Sequence, residues 1–504
     1  MQSRTQAVKR DRVLFFFPLV MRNQRPLYPP LEVISLAGVL TQHGYRVSIL
    51  DQRLKTGWFS SQDLGNIDDL IFVGISTRVG TQCQQALRFA KWIKDVAPDV
   101  PLVWGGWGPS LGPSIFAKSS CVDCVVIGEA DNLILPLTEA IRNDSGFSHL
   151  SGVAYRERGE ASPVVIPPRE PISELSKTPP MAYHLVDVPS YLRGGNKINY
   201  MSSRGCTGEC NFCAVTAVHQ SQYSALPSWR VVEEISSLSK KYAVRNVFFV
   251  DTNFFDDQER ALRIAEGFLY EGLGLEWEAY GKADQLLRYT DEEILLFERS
   301  GCRLMSVGVE TACQKLLDSM EKNIRTEDVK NLVNRLKRTK IRFWSNMMVG
   351  LPEETWQDFK DTIELARWIR RQNPLNPVSF LRYWPLPSTS LGKAALGPSH
   401  DYASMDLEGV ADRFYRPGCR MGWLNRKHET AVRSAVWVYF PLHFMPEDSK
   451  RNYMRRRSIL GRIKLSILRS ISAFRIEHKF FAFPLLWWVK QIRFRFSRVH
   501  YLGQ

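Results

Sequence analysis

The sequence predicts an α/β protein in three parts: a doubly wound, Rossmann-like N-terminal domain, a partial (β/α)6 barrel, and a helical, basic C-terminal region. Three observations carry this. Short apolar runs alternate with stretches of helical spacing twice over, from about residue 13 to 150 and from about 196 to 395. Strand then helix at that pace builds parallel sheets. A stretch rich in proline and poor in periodicity separates the two runs. The last 64 residues, Pro441–Gln504, hold 14 Lys or Arg against 3 acids, most of the net charge of +15. The boundaries follow: a domain over 1–155, a linker over 156–190, a barrel over 191–395 and the basic region over 396–504. Roughly 150 residues per domain also gives about three for 504 residues.

In the first part, Val13–Phe17 is a short buried strand ending at Pro18, and Leu31–Gln42 has helical spacing that stops before Gly44. Strands follow at Val47–Asp51, Leu70–Ile75, Leu102–Trp104 and Cys124–Ile127, with a helix over Cys83–Val96. Ligands of such sheets sit beyond the carboxyl ends of the strands. The informative loops are therefore Pro18–Pro30, Ser76–Gly80, Gly105–Ser110 and Gly128–Asp131. In the second part, strands are expected at Ile198–Met201, Asn246–Val250, Leu275–Ala279, Leu304–Val309, Phe343–Val349 and Val378–Arg382. Amphipathic helices lie between them, and active groups are expected just after each strand's C-terminal end.

Composition excludes several classes. Charged residues are 24% and hydrophobic residues 44%, an ordinary globular balance. No apolar run reaches the roughly 18–20 residues of a membrane span, and the N-terminus has no secretory h-region. A cytoplasmic location is expected. Nine cysteines, an odd number without a secretion signal, argue against a disulfide framework. Outside the basic tail the charge is nearly balanced, so no nucleic-acid partner is expected.

Three cysteines stand together, in Ser202-Ser203-Arg204-Gly205-Cys206-Thr207-Gly208-Glu209-Cys210-Asn211-Phe212-Cys213, at the end of the barrel's first strand. The spacing is C-x3-C-x2-C. Three thiolates this close suit three corners of an iron–sulfur cube, whose fourth iron stays open for a substrate's amino and carboxylate groups. On the residues alone, a zinc site lacking its fourth ligand and plain buried cysteines remain alternatives. Cys121 and Cys124, leading into a strand without a second pair, read as core.

This loop, after the first strand of a βα barrel, resembles the radical S-adenosylmethionine (SAM) superfamily. The domain in front, with Gly105-Gly106-Trp107-Gly108-Pro109-Ser110 and Val126-Ile127-Gly128-Glu129, resembles that of members carrying an N-terminal cobalamin-binding domain. Those members include class B methyltransferases and the anaerobic Mg-protoporphyrin monomethyl ester cyclase. The resemblance spans about residues 10–395. It implies a [4Fe-4S] cluster on Cys206, Cys210 and Cys213, with SAM and cobalamin as further cofactors. For SAM it implies contacts from Phe212, Asn253, Lys282 and Glu310, with Asp284 at the ribose. Gly350–Thr355 matches the segment that packs on adenine. Relatives often have Gly-Gly-Glu where this chain has Asp251-Thr252-Asn253-Phe254, and Arg where it has Lys282. Glu353 and Glu354 also read as ordinary first-turn helix acids.

For cobalamin, the resemblance implies room made by Ser76, Thr77, Gly105, Gly106 and Gly128, with Trp107 and Glu129 beside it. The chain lacks Asp-x-His-x-x-Gly, so no histidine of that motif is expected below the cobalt, and His43 reads as a surface residue. The implied reaction is C-methylation of an unactivated carbon through a deoxyadenosyl radical and methylcobalamin. An oxidative cyclisation or rearrangement without methyl transfer is the alternative. A tRNA methylthiolase would need further cysteines ahead of the barrel. The implied partners are a substrate that is a small molecule or is lipid- or tetrapyrrole-like, and an external one-electron donor. In the tail, Ile459, Ile463, Ile467, Ile471 and Phe474 form a stripe expected to pack on the barrel. Phe480–Arg498 is expected to make peripheral contact with an anionic membrane at the cytoplasmic face.

Overall fold

The structure is a computed structural model that describes residues 10–481, except 20–26, 56, 158, 171–172, 194, 387, 398–404, 414–420, 445–458 and 480. Two sheets organise it. The first has seven strands: β1 (Arg12–Phe17), β2 (Arg46–Asp51), β3 (Leu70–Ser76), β4 (Leu102–Gly105), β5 (Cys124–Val126), β6 (Val153–Tyr155) and β7 (Val164–Ile166). Their order is β2-β1-β3-β4-β5-β6-β7. The first five are parallel and the last two antiparallel. β1 is buried at every position because helices cover both faces of the sheet, so its run Val-Leu-Phe-Phe-Phe does not alternate. The chain reverses direction across the sheet between β1 and β3, which opens a crevice beyond their carboxyl ends.

β6 and β7 add an antiparallel edge to a sheet expected to be wholly parallel. Each has three residues, and β7 lies inside the proline-rich stretch read as linker. Runs that short give no usable periodicity.

The second sheet has six parallel strands in sequential order: β8 (Lys197–Tyr200), β11 (Asn246–Phe249), β12 (Glu276–Gly281), β13 (Cys302–Glu310), β14 (Arg342–Val349) and β15 (Val378–Arg382). A separate antiparallel pair, β9 (Ser203–Gly205) and β10 (Tyr223–Ala225), follows β8. Sequential order is what right-handed β/α crossovers of this length produce. Helices Ser228–Tyr242, Gln258–Tyr270, Asp291–Arg299, Thr326–Leu336 and Trp356–Gln372 cover the outer face. β14 alternates half-buried and buried positions, with Phe343, Ser345, Met347 and Val349 turned into the core. Thr290 with Glu293 and Thr355 with Asp358 form capping boxes that fix where two of these helices begin. Glu353 and Glu354 thus precede the helix Trp356–Gln372 and are not its first-turn acids.

The C-terminal region clamps both sheets. Leu407, Val410 and Ala411 join the core of the first sheet. Met421, Val432, Tyr439 and Phe440 join that of the barrel. Glu354 is buried beneath this clamp: the Gly350 amide donates to it at 2.9 Å, and His428 Nε2 stands 2.9 Å away. Helix Ile459–Glu477 buries Leu465, Ser472 and Ile476, but leaves Ile463, Ile467, Ile471 and Phe474 exposed. The helix carries two apolar stripes, and the packed one is not the one expected to pack. Cys419 and, apart from Phe481, the segment Phe480–Arg498 expected at a membrane lie outside the described residues. Among the described residues, no helix is long and apolar enough to cross a membrane.

Candidate active site between the two sheets

The cysteine loop hangs from the carboxyl end of β8. Buried Asp251, just past β11, anchors its root. Asp251 accepts from the Ser202 amide at 2.6 Å and from the Ser203 hydroxyl at 2.8 Å. Burial pushes this carboxyl up, while Arg260 and the serines oppose it. Arg260 closes the other side, donating to the Ser202 and Leu226 carbonyls at 2.9 and 2.7 Å. Gly205 has φ +78°, a conformation that glycine adopts without strain, and it turns the chain from β9 into the loop. The Cys206 amide donates to the Gln222 carbonyl at 3.1 Å.

Inside the loop the Gly208 amide donates to Cys206 Sγ at 3.3 Å. A β-carbon on Gly208 would stand 3.3 Å from Cys206 Sγ, 4.0 Å from Cys210 Sγ and 3.6 Å from Lys282 Nζ. Gly208 therefore sits between two thiols and a cation. Cys213 caps the helix Ala214–His219. Among the described residues, no group of three or more His, Cys, Asp or Glu side chains is placed to hold one metal ion. Cys206, Cys210 and Cys213, carried on one short loop beside the Lys282 cation, are the donor set that three corners of a cluster would take. Burial pushes the Cys206 and Cys210 thiols up; the Gly208 amide and Lys282 oppose this at Cys206, and Lys322 and Lys282 at Cys210.

The expected SAM contacts gather at this mouth. Buried Asn253 donates to Gln285 at 2.6 Å and lies 3.8 Å from Cys206 Sγ, and its carbonyl oxygen has no protein partner. Lys282 is 3.8 Å from Asp284. Glu310 ends β13 with φ +62°, and Lys322 Nζ holds it at 2.9 Å. Burial works against the charge on Lys322, but Glu310 and Cys210 outweigh it and keep the ammonium protonated. A β-carbon on Gly308 would stand 2.3 Å from Glu310 Oε1, so a larger residue there would displace this pair from where it stands. Phe212 is half-buried, with Lys322 Nζ 5.9 Å from its ring centre. Lys322 carries no motif, and sequence reasoning missed it.

Across the gap stand the strand ends of the first sheet. One cavity of about 310 Å³ is lined by Ser76, Thr77, Gly105, Gly106, Trp107, Gly128 and Glu129 from that sheet, and by Arg204, Gly205, His219 and Thr252 from the barrel side. All seven residues expected near cobalamin therefore share one space. A β-carbon on Gly105 would meet only Val126, at 3.7 Å, so this glycine opens onto the cavity. Gly106 is different. It has φ +93°, and its β-carbon would stand 2.9 Å from the Thr77 carbonyl oxygen, so it permits two backbones to close on each other. An open floor of glycine between small polar residues fits the close approach of a large ligand such as cobalamin. His43 ends the helix Leu31–Gln42 at the surface.

Glu129 does not face the cavity alone. Arg204 reaches over from β9 and bonds Glu129 at 2.5 Å, Asp131, and Ser35 at 3.0 Å. His219 Nε2 lies 2.8 Å from the other Glu129 oxygen, and its ring meets Trp107 edge to face at 5.7 Å. Burial pushes the Glu129 carboxyl up, but Arg204 and His219 outweigh it and hold it below the ordinary carboxylate range. Arg204 and His219 were not legible in the sequence. The one signal was position, since they flank the cysteine loop on either side. Cys83, Cys121 and Cys124 are buried, with thiols pushed up by burial, and take no part in the site.

Comparison with known proteins agrees. Residues 200–366 match the radical SAM superfamily and residues 19–136 the B12 binding domain. An uncharacterized methyltransferase of Pyrococcus horikoshii is 26% identical over 73% of this chain and 78% of its own. The anaerobic magnesium-protoporphyrin IX monomethyl ester cyclase of Rubrivivax gelatinosus is 27% identical over 75% and 69%. Among solved structures, the radical SAM methyltransferase TsrM of Kitasatospora setae superposes with a TM-score of 0.66 at 19% identity, over 76% of this chain and 74% of that one. The cobalamin-dependent radical enzyme OxsB superposes at 0.72 and 14%, over 93% and 72%. With a B12-binding domain ahead of a radical SAM half-barrel, and with the root of the cysteine loop lining the glycine-floored cavity, this chain has the make-up of a cobalamin-dependent radical SAM enzyme.

Proposed function

We propose that the protein is a methyltransferase acting on an unactivated carbon of a small, apolar substrate of lipid or tetrapyrrole character. The observation that supports this best is the seam itself. Arg204, two residues ahead of Cys206, is bonded to Glu129 and Asp131 of the other domain. The wall of the cluster loop is thereby also a wall of the cobalamin cavity. When bound, the cluster with SAM supplies a hydrogen-abstracting radical and methylated cobalamin supplies the methyl group. The chain's own residues hold and orient. Cys206, Cys210 and Cys213 hold the cluster. Lys282 offers its cation to the SAM carboxylate, and Asn253 its unpartnered carbonyl oxygen to the amino group. Gly105 leaves room on the cobalamin side, and the buried ion cluster of the seam closes that side of the cavity to water. We place the enzyme in the cytoplasm, served by an external one-electron donor.

A second reading keeps both cofactors but performs an oxidative cyclisation or rearrangement, favoured by the relative from Rubrivivax gelatinosus, which is named a cyclase. Anaerobic turnover separates the two. Methyl transfer yields deoxyadenosine together with S-adenosylhomocysteine, and a product one carbon heavier. Deoxyadenosine without S-adenosylhomocysteine, and a product with no added carbon, selects the cyclase. Mass spectrometry of metabolites from deletion and parent strains identifies the substrate.

A further inference from the structure

At the mouth of the barrel, four residues from the cysteine loop and from the turns after β11 and β12 form one hydrogen-bonded chain. The Thr207 amide and hydroxyl donate to the Asp256 carboxylate at 2.8 and 2.7 Å. Gln285 Nε2 donates to the same carboxylate at 2.6 Å, and Asn253 Nδ2 donates to Gln285 Oε1 at 2.6 Å. Asn253 Nδ2 also faces Cys206 Sγ at 3.8 Å, while Asn253 Oδ1 is buried with no protein partner. Asn253 and Gln285 are 1% and 7% exposed, so neither amide can turn to bulk water for a substitute bond.

A side-chain amide has a donor end and an acceptor end, and turning it over exchanges them. The carboxylate decides between the two directions. It only accepts, so Gln285 presents its NH2 to Asp256 and its carbonyl oxygen to Asn253. Asn253 must then give its NH2 to Gln285 and to the Cys206 sulfur, which leaves its carbonyl oxygen as the free acceptor. One half-buried carboxylate thereby sets the direction of two buried amides. We propose that Asp256 and Gln285 are positioning residues, which fix Asn253 with its carbonyl oxygen toward the amino group of SAM and its N–H toward the cluster ligand Cys206. The proposal rests on the radical SAM reading above, and adds how a neutral asparagine serves there as an acceptor of fixed direction. The same carboxylate holds the Thr207 amide, so the loop that carries the cluster and the group that meets SAM share one anchor.

Asp256→Asn and Gln285→Glu test this, because each keeps the shape of its side chain and changes only what it donates and accepts. Asp256→Asn permits the reverse direction, which puts the NH2 of Asn253 where its oxygen stood. Gln285→Glu sets two carboxylates against each other. The double variant moves the single carboxylate to the middle of the chain, where it accepts from both neighbours and restores the direction at Asn253. Equilibrium binding to anaerobically reconstituted full-length protein reads the outcome. Each single variant should bind SAM about ten-fold more weakly or worse, and the double variant should recover most of that loss. 5′-Methylthioadenosine, which has no amino acid part, should bind all four proteins alike. The midpoint potential of the cluster, measured without SAM, should become more negative in Asp256→Asn, where the N–H toward sulfur is lost, and return in the double variant. Every variant is first checked for wild-type circular dichroism and iron content. If one fails, Gln285→Met takes its place; it frees the Asn253 amide and should weaken SAM but not 5′-methylthioadenosine. Unchanged SAM binding in either single variant or in Gln285→Met, a double variant no better than the singles, or an equal loss of 5′-methylthioadenosine overturns the proposal alone. Wild-type protein that binds no SAM overturns the radical SAM reading together with it.

Discussion

The cluster loop and the domain seam are neighbours built from equally polar side chains, yet the sequence encodes them in opposite ways. Cys206, Cys210 and Cys213 lie within eight residues, and their spacing carries the resemblance that implies a cluster. At the seam, Arg204 meets Asp131 from 73 residues away and Ser35 from 169. Ligation is a local property, which a short motif carries. Alignment of two cofactor sites is a property of the fold, carried by a buried ion cluster with no motif. Such a cluster is costly to desolvate and adds little net stability over an apolar contact, yet it is costly to break once formed.

Removing the local half should have the largest effect. Cys206→Ala, Cys210→Ala and Cys213→Ala together should abolish the visible absorption of anaerobically reconstituted protein and all deoxyadenosine release. Full iron content in the triple variant would remove the cluster assignment and leave the seam as the main feature of the site. Next comes the cobalamin wall. Gly105 opens onto the cavity, whereas Gly106 closes against Thr77, so the two glycines should answer differently. Gly105→Trp should block cobalamin uptake while the cluster absorption and melting temperature stay near wild type. Gly106→Trp should instead destabilise the domain, because its side chain would collide with backbone at positive φ. Normal uptake by a folded Gly105→Trp protein would move the cobalamin site elsewhere.

The seam should show an intermediate effect, on stability. Arg204→Met leaves two buried carboxylates without their cation, a change that costs about 3–5 kcal/mol in buried pairs. The doubly substituted Arg204→Met, Glu129→Gln chain should recover part of that loss, since fewer charges remain unpaired. pH gives the sign independently. The Glu129 carboxyl is held down to about 2 against an ordinary value of 4.5, so its contribution is complete above about pH 4.5 and is lost as pH falls toward 2. Denaturant midpoints of the cofactor-free chain should fall more steeply over that window in wild type than in Glu129→Gln. Parallel curves would show that the seam carries no stability.

The same contrast explains what was legible. Both sheets could be read in order, because buried parallel strands are continuous apolar runs and their helices repeat at 3.6 residues. β6, β7, β9 and β10 could not, since three residues define no period. The helix Ile459–Glu477 offered two apolar stripes, and nothing local says which one the barrel takes. Lys322 was illegible for the reason Arg204 was. A buried lysine looks like any other until the fold places Glu310 2.9 Å away.

The smallest effect is expected at His219, and it bears on both halves at once. This imidazole stands on the helix that follows Cys213 and lines the cobalamin cavity. Its Nε2 is 2.8 Å from Glu129, and its Nδ1 is buried with no protein partner. A carboxylate accepts, so Nε2 donates to Glu129. A buried ring nitrogen without a protein partner in such a cavity suggests a nitrogen ligand for cobalt. Its anchoring argues otherwise. The bond to Glu129 and the Trp107 edge fix the ring to the barrel side of the cavity, whereas the motif that places histidine beneath cobalt is missing from the first sheet. Electron paramagnetic resonance of the Co(II) protein should therefore show no nitrogen superhyperfine splitting, and the His219→Gln spectrum should match it. A splitting in wild type that disappears in His219→Gln would put this residue on the metal. The seam would then be a ligand site as well as a means of alignment, and its difference from the cluster loop would narrow to one of sequence distance.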